Sequence, residues 1–191
     1  RRILRIMFVV FGRKFHKARE NYGGATVLNL MLEEYLMNST MSYRFEDFNP
    51  YKLDVYNFLH LCVKIKYLSK SDVVLINISQ NGLKYIFPLF FVVSRLIGFK
   101  LNVRIFGGSA DLVLDSFRLK KYYFLALARI ETLFVETDYL KARFAQLGNV
   151  KSWPNARTDM NSSKYLVNES FEGRFLYVGR ITISKGILEL I

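Results

Sequence analysis

The chain has 191 residues, with 28 Lys and Arg against 16 Asp and Glu, two His, one Cys and three Pro, and is 51% hydrophobic and 16% aromatic. That hydrophobicity excludes intrinsic disorder, a single cysteine excludes a disulfide scaffold, and Cys62, His16 and His60 are too few for a Cys/His zinc module. The net charge of +12 points to a polyanionic partner: nucleic acid, anionic lipid or a diphosphate-bearing substrate.

Ile3 to Phe11 is short, apolar and β-branched, the pattern of a buried parallel strand. A basic loop follows, and Gly23-Gly24 lead into Val27, Leu28, Met31, Leu32, Tyr35 and Leu36 at helical spacing. Asn38 to Asp54 reads as polar and irregular. Phe58, Leu59, Cys62, Val63, Ile65 and Leu68 form the apolar stripe of a second helix. Val73 to Ile78 is another buried strand, Leu83 to Ile97 a helix, and Leu101 to Phe106 a third strand ending at Gly107-Gly108. The rhythm continues with a helix near Leu119 to Glu131, a strand at Leu133 to Glu136, a helix near Tyr139 to Leu147 and a short strand at Val150 to Trp153. This alternation predicts an α/β fold, a Rossmann-like parallel sheet with helices on both faces, over residues 1–155. A polar linker is expected at 156–170, and a strand followed by a helix start at 171–191, the opening of an incomplete second domain. The apolar run from Tyr85 to Ser94 is half the roughly 20 residues a spanning helix needs. With no recognisable signal peptide, the expectation is a cytoplasmic protein, peripheral to the inner face of a plasma membrane if it meets one.

Three glycine loops sit where strands feed helices, at Gly23-Gly24, Gly107-Gly108 and Gly179-Arg180. Unpaired N–H groups at a helix start hold anions, and glycine lets a ligand approach the backbone. The first two match neither G-x-G-x-x-G nor a P-loop, so each reads as a tight turn or as a ligand cradle. At the third, Arg180 and Lys185 lie between Gly179 and Gly186, where both cations can reach a diphosphate.

The run FLYVGRITISKGILELI, Phe175 to Ile191, resembles the opening of the second domain of family-4 retaining glycosyltransferases of the GT-B fold. The Gly23-Gly24 loop, the strand after Ser71-Asp72, the Phe106-Gly107-Gly108 turn, and Trp153-Pro154-Asn155 with Asp159 follow in the family's order. The resemblance implies an acceptor-binding N-terminal domain and a nucleotide-sugar-binding C-terminal one. It makes Arg180 and Lys185 the catalytic pair that stabilises the departing diphosphate. Gly23, Gly24 and Gly179 would lie against the donor, and Gly107, Gly108 and His16 on the acceptor side. No metal or other cofactor is expected, the sequence having no Asp-x-Asp triplet. Where the family often has a histidine this chain has Phe106, and His16 in the first loop reads either as a cleft residue or as a solvated one.

The expected function is transfer of a sugar from a nucleotide-sugar to a glycan or lipid-linked acceptor in cell-surface polysaccharide or glycolipid synthesis, with this stretch alone inactive. Two basic, partly apolar helices are candidates for an anionic membrane surface: one carries Lys64, Lys66 and Lys70, the other Arg118, Lys120 and Lys121. The alternatives are a basic α/β module holding nucleic acid, disfavoured because no recognition motif appears, and a noncatalytic scaffold with the same fold.

Overall fold

The computed structural model describes residues 6–13, 24–48 and 55–155. All lie in the first of the two units into which the chain divides, Arg1–Ala156 and Arg157–Ile191. Within it the elements run β1 (Phe8–Gly12), α1 (Gly24–Met37), β2 (Tyr43–Asp47), α2 (Val55–Ile65), β3 (Val73–Ser79), α3 (Gln80–Ile97) and β4 (Lys100–Phe106). Then come α4 (Ala110–Asp115), α5 (Lys120–Leu127), β5 (Thr132–Val135), α6 (Asp138–Arg143) and β6 (Val150–Ser152).

The strands form one six-stranded sheet in the order β2-β1-β3-β4-β5-β6, and every pairing is parallel. The expected α/β architecture is therefore present. Parallel strands need right-handed crossovers, so the direction in which the chain moves across the sheet decides which face each helix covers. Only the step from β1 to β2 moves toward the β2 edge, and α1 is correspondingly set apart from the other helices. Its Leu32 and Leu36 pack with Val10, Phe45 and Leu75 on one face. On the opposite face α2, α3, α5 and α6 contribute Leu61, Ile65, Phe87, Phe90, Leu127 and Leu140 to a larger core with Val9, Val74, Ile76, Val103 and Val135. Phe90 meets Phe11 edge-on at 4.8 Å between ring centroids, anchoring α3 to the sheet centre.

Three expectations are corrected. The polar stretch after Asn38 contains β2, whose YRFED sequence buries only Phe45. Its alternate positions form an ion-paired sheet edge, with Arg44 Nε 2.9 Å and Lys64 Nζ 3.2 Å from Glu46. In α2 the core face is Leu61 and Ile65, continued by Leu68, while Phe58, Leu59 and Val63 are exposed. The apolar stripe is thus wider than the buried one. The helix expected near Leu119 to Glu131 is α5 alone, preceded by the short α4. The remaining elements expected among the described residues lie within a few residues of their bounds, although β1 starts at Phe8; residues 1–5, the expected linker at 156–170 and the expected strand and helix start at 171–191 are outside the described ones.

Pro88 lies inside α3 and has no N–H to give to the carbonyl four residues earlier, that of Lys84. The Tyr123 hydroxyl of α5 donates to that carbonyl at 2.7 Å, replacing the lost helical bond with an interhelical one. Burial, and then the nearby Tyr85, raise the Tyr123 pKa above its ordinary value, so the phenol keeps its proton at neutral pH. Tyr123→Phe is expected to cost about 0.5–1.5 kcal/mol in urea unfolding. In a Pro88→Ala background the residue-88 N–H returns, and the same substitution is expected to cost measurably less.

Candidate functional site at the carboxyl edge of the sheet

After β1 the chain turns to the α1 face, and after β3 to the face that α3 covers. The two connections part between neighbouring strands at their carboxyl ends, the place where open α/β sheets form a ligand-binding crevice. The crevice floor is polar. Asn77 of β3 donates from Nδ2 to Asn29 Oδ1 of α1 at 2.7 Å, and Asn29 Nδ2 donates to the Arg13 carbonyl at 3.1 Å. Both side chains are buried, at 3% and 2% exposure, so this pair fixes α1 to the end of the sheet with little competition from water. Gly12 is required beneath it, since a Cβ there would lie 2.7 Å from Asn29 Nδ2 and 3.3 Å from Asn77 Cβ. Asn77 Oδ1 and, two residues on, Ser79 Oγ are buried without a hydrogen-bond partner. Two unmet polar atoms at one strand end are uncommon in a folded interior.

The ends of β3, β4 and β5 are joined by side chains. Gln80 Nε2 is 2.5 Å from Ser109 Oγ, and the Gly107 N–H donates to Glu136 Oε2 at 3.0 Å. Gly107 has φ +107°, a left-handed conformation that favours glycine. Gly108 has open space where a Cβ would project. Asp111, 4% exposed, accepts from Tyr139 Oη at 2.8 Å and lies 3.9 Å from Arg143 Nε. That hydrogen bond and the Asp111 charge hold the Tyr139 pKa above the usual phenol value. The edge therefore presents amides, hydroxyls, a glycine turn and carboxylates, the chemistry that recognises a polyhydroxylated molecule through hydrogen bonds.

Of the residues the sequence singled out, Gly107 and Gly108 stand at this edge, and Gly24 is the first residue of α1. His16, Gly23, Asp159, Gly179, Arg180 and Lys185 lie outside the described residues. The edge adds Asn29, Asn77, Ser79, Gln80, Glu136 and Asp111, which sequence reasoning missed. Asn77 had a legible signal, being the one polar residue inside the apolar run VVLINI. No protein-family model matches the chain, and no curated protein sequence matches it.

Gly12→Ala is expected to push Asn29 away from Asn77 and lower stability by roughly 1–3 kcal/mol, the cost of stranding buried polar groups. The urea midpoint measures it. In a double-mutant cycle with Asn29→Ala the two costs are expected to fall well short of additivity, because the second change removes the atom that clashes.

Proposed function

We propose that this chain is the acceptor-binding part of a retaining, metal-independent glycosyltransferase that moves a sugar from a nucleotide-sugar to a hydroxyl of a glycan or lipid-linked acceptor, in cell-surface polysaccharide or glycolipid synthesis. The observation that carries this reading is the edge itself. The open Gly107-Gly108 turn and the Gln80–Ser109 pair border the crevice of a doubly wound sheet, with the unpartnered Asn77 and Ser79 oxygens buried beneath them. Such groups suit the hydroxyls of a sugar chain. The cations that suit a diphosphate, Arg180 and Lys185, belong to the stretch whose sequence resembles the donor domain. In this reading the acceptor hydroxyl is held at the carboxyl edge while Arg180 and Lys185 neutralise the charge that develops on the departing diphosphate. The resemblance would set Gly23, Gly24 and Gly179 against the donor and His16 on the acceptor side.

A lipid-linked acceptor requires the protein to meet a membrane, and α3 and α5 form a suitable surface. No helix among the described residues is long and apolar enough to cross a bilayer. Between α3 and α5 lies an apolar groove of about 530 Å³, lined by Phe91, Val92, Leu119, Tyr122 and Leu125 among others. Val92, Leu119, Tyr122 and Leu125 are all more than half exposed. Exposed Lys84, Arg95, Lys121 and Arg129 flank it. Lys64, the other basic candidate, is engaged: its ammonium donates to the Asp47 carbonyl at 2.7 Å and pairs with Glu46.

Two measurements test the proposal. In the protein as its gene encodes it, Arg180→Ala and Lys185→Ala are each expected to lower sugar transfer to a membrane-extract acceptor at least tenfold. Unchanged turnover in both variants would overturn the reading. For the membrane surface, a Lys121→Gln, Arg129→Gln double variant is expected to bind phosphatidylglycerol vesicles roughly 30-fold more weakly, at about 1 kcal/mol per cation. Equal sedimentation of wild type and variant would exclude this surface.

A further inference from the structure

The face that α1 covers holds a second site. Along β4 the side chains alternate, placing Asn102, Arg104 and Phe106 on the α1 side, and the register sets Arg104 between Asn77 of β3 and Phe134 of β5. Arg104 is 2% exposed, although burying a guanidinium costs several kcal/mol unless an anion compensates. Its compensation is incomplete. Its Cζ atom lies 4.2 Å from the centroid of the Trp153 ring and 4.9 Å from that of Phe106, and Nη2 donates to Asn155 Oδ1 over a long 3.5 Å. Nε is buried without a partner. No described carboxylate comes within ion-pairing distance; Glu136 acts on the charge only at longer range. Desolvation consequently pulls the Arg104 pKa down to about 10, with Glu136 opposing the shift, and the group stays cationic at neutral pH.

Beside this cation a groove of about 450 Å³ runs between α1 and the sheet, its walls including Leu28, Met31, Leu32, Tyr35 and Trp153, with Arg104 as its charged member. Its size falls within the roughly 300–1,000 Å³ of small-molecule sites, and an apolar cleft with one well-placed polar group is their usual composition. We propose that this groove binds an amphiphilic anion: a carboxylate or phosphate monoester that pairs with Arg104 and carries an alkyl or prenyl chain lying along α1. The guanidinium, already stacked on Trp153, offers its in-plane donors to the head, where a bidentate pair satisfies Nε and one Nη together. Its charged end adjoins Asn77 of the carboxyl-edge crevice, while the apolar groove runs along α1 past Leu32 and Leu36 to Met41, and binding there does not depend on sugar transfer.

Trp153 is the only tryptophan in the chain, so its fluorescence reports on the groove directly. Titration with decyl phosphate, decanoate, decanol and inorganic phosphate, each below its aggregation limit, separates head from tail. At least one of the two charged amphiphiles is expected to give a saturable change and to bind at least tenfold more tightly than decanol or inorganic phosphate. Whichever of the two binds more tightly identifies the head group. Arg104→Gln is expected to bring the preferred anion down to the affinity of decanol while leaving decanol itself unchanged. Should Arg104→Gln fail to fold, Met31→Trp, which fills the groove without touching the cation, is expected to abolish amphiphile binding measured by calorimetry. Equal binding of decanol and both anions, binding of inorganic phosphate as tight as that of the amphiphiles, absence of any response, or full retention in Met31→Trp would each overturn the proposal.

Discussion

The handedness of parallel crossovers governs most of what this molecule offers. A right-handed connection places its helix on a face determined by the direction of travel across the sheet. Here the chain moves toward the β2 edge once, from β1 to β2, and toward the β6 edge thereafter. One helix therefore serves the first face among the described residues, and the larger core gathers on the other. The parting of the chain between β1 and β3 opens the polar crevice. The sparse cover of the α1 face opens the groove beside Arg104. Both sites follow from one topological fact rather than from separate local designs.

Buried polarity then decides how these openings are furnished. A parallel strand covered on both faces is normally a continuous apolar run, and β3 and β4 depart from it at Asn77, Asn102 and Arg104. Asn77 loses less than it would alone because Asn29 answers one of its groups at 2.7 Å. Asn102 reaches the Val74 carbonyl only at 3.4 Å, a weak bond at the outer limit of useful geometry. Arg104 has aromatic faces in place of a counter-ion, and cation–π attraction of roughly 0.5–2 kcal/mol per ring recovers only part of a desolvation cost of several kcal/mol. Stability alone would select a Leu or Met at that position. Its retention of charge is what distinguishes the groove from an incompletely packed core.

Legibility from sequence follows the same physics. Runs such as VVLINI and the amphipathic stretch of α3 announce themselves because burial on one or both faces leaves a periodic signature. β2 did not, since an edge strand with a single buried residue, Phe45, spends its other positions on ion pairs and reads as loop. α4 is only six residues long, too short to show a helical period, so no element was read there, whereas the start of α5 lies within a residue of the expected Leu119. At the candidate site the glycines were legible, because Gly107 needs a conformation that side chains disfavour. The Asn29–Asn77 pair was not, since its members are 48 residues apart and only the sheet brings them together.

Net charge becomes informative only once its placement is known. A surplus of +12 would attract any polyanion weakly and without direction if it were spread evenly. Several acids are instead neutralised locally: Glu46 by Arg44 and Lys64, Asp115 by Arg143 and Lys120, and Glu131 by Lys100. No such pair joins Lys84, Arg95, Lys121 or Arg129 to a described acid. These four cations are exposed beside the apolar groove of α3 and α5 and are screened by salt, whereas Arg104 keeps its charge inside the fold, where screening is weak. The two grooves thus discriminate differently. The outer one responds to the surface density of negative charge on a partner, and the inner one to a single anion able to leave water and lie against Trp153.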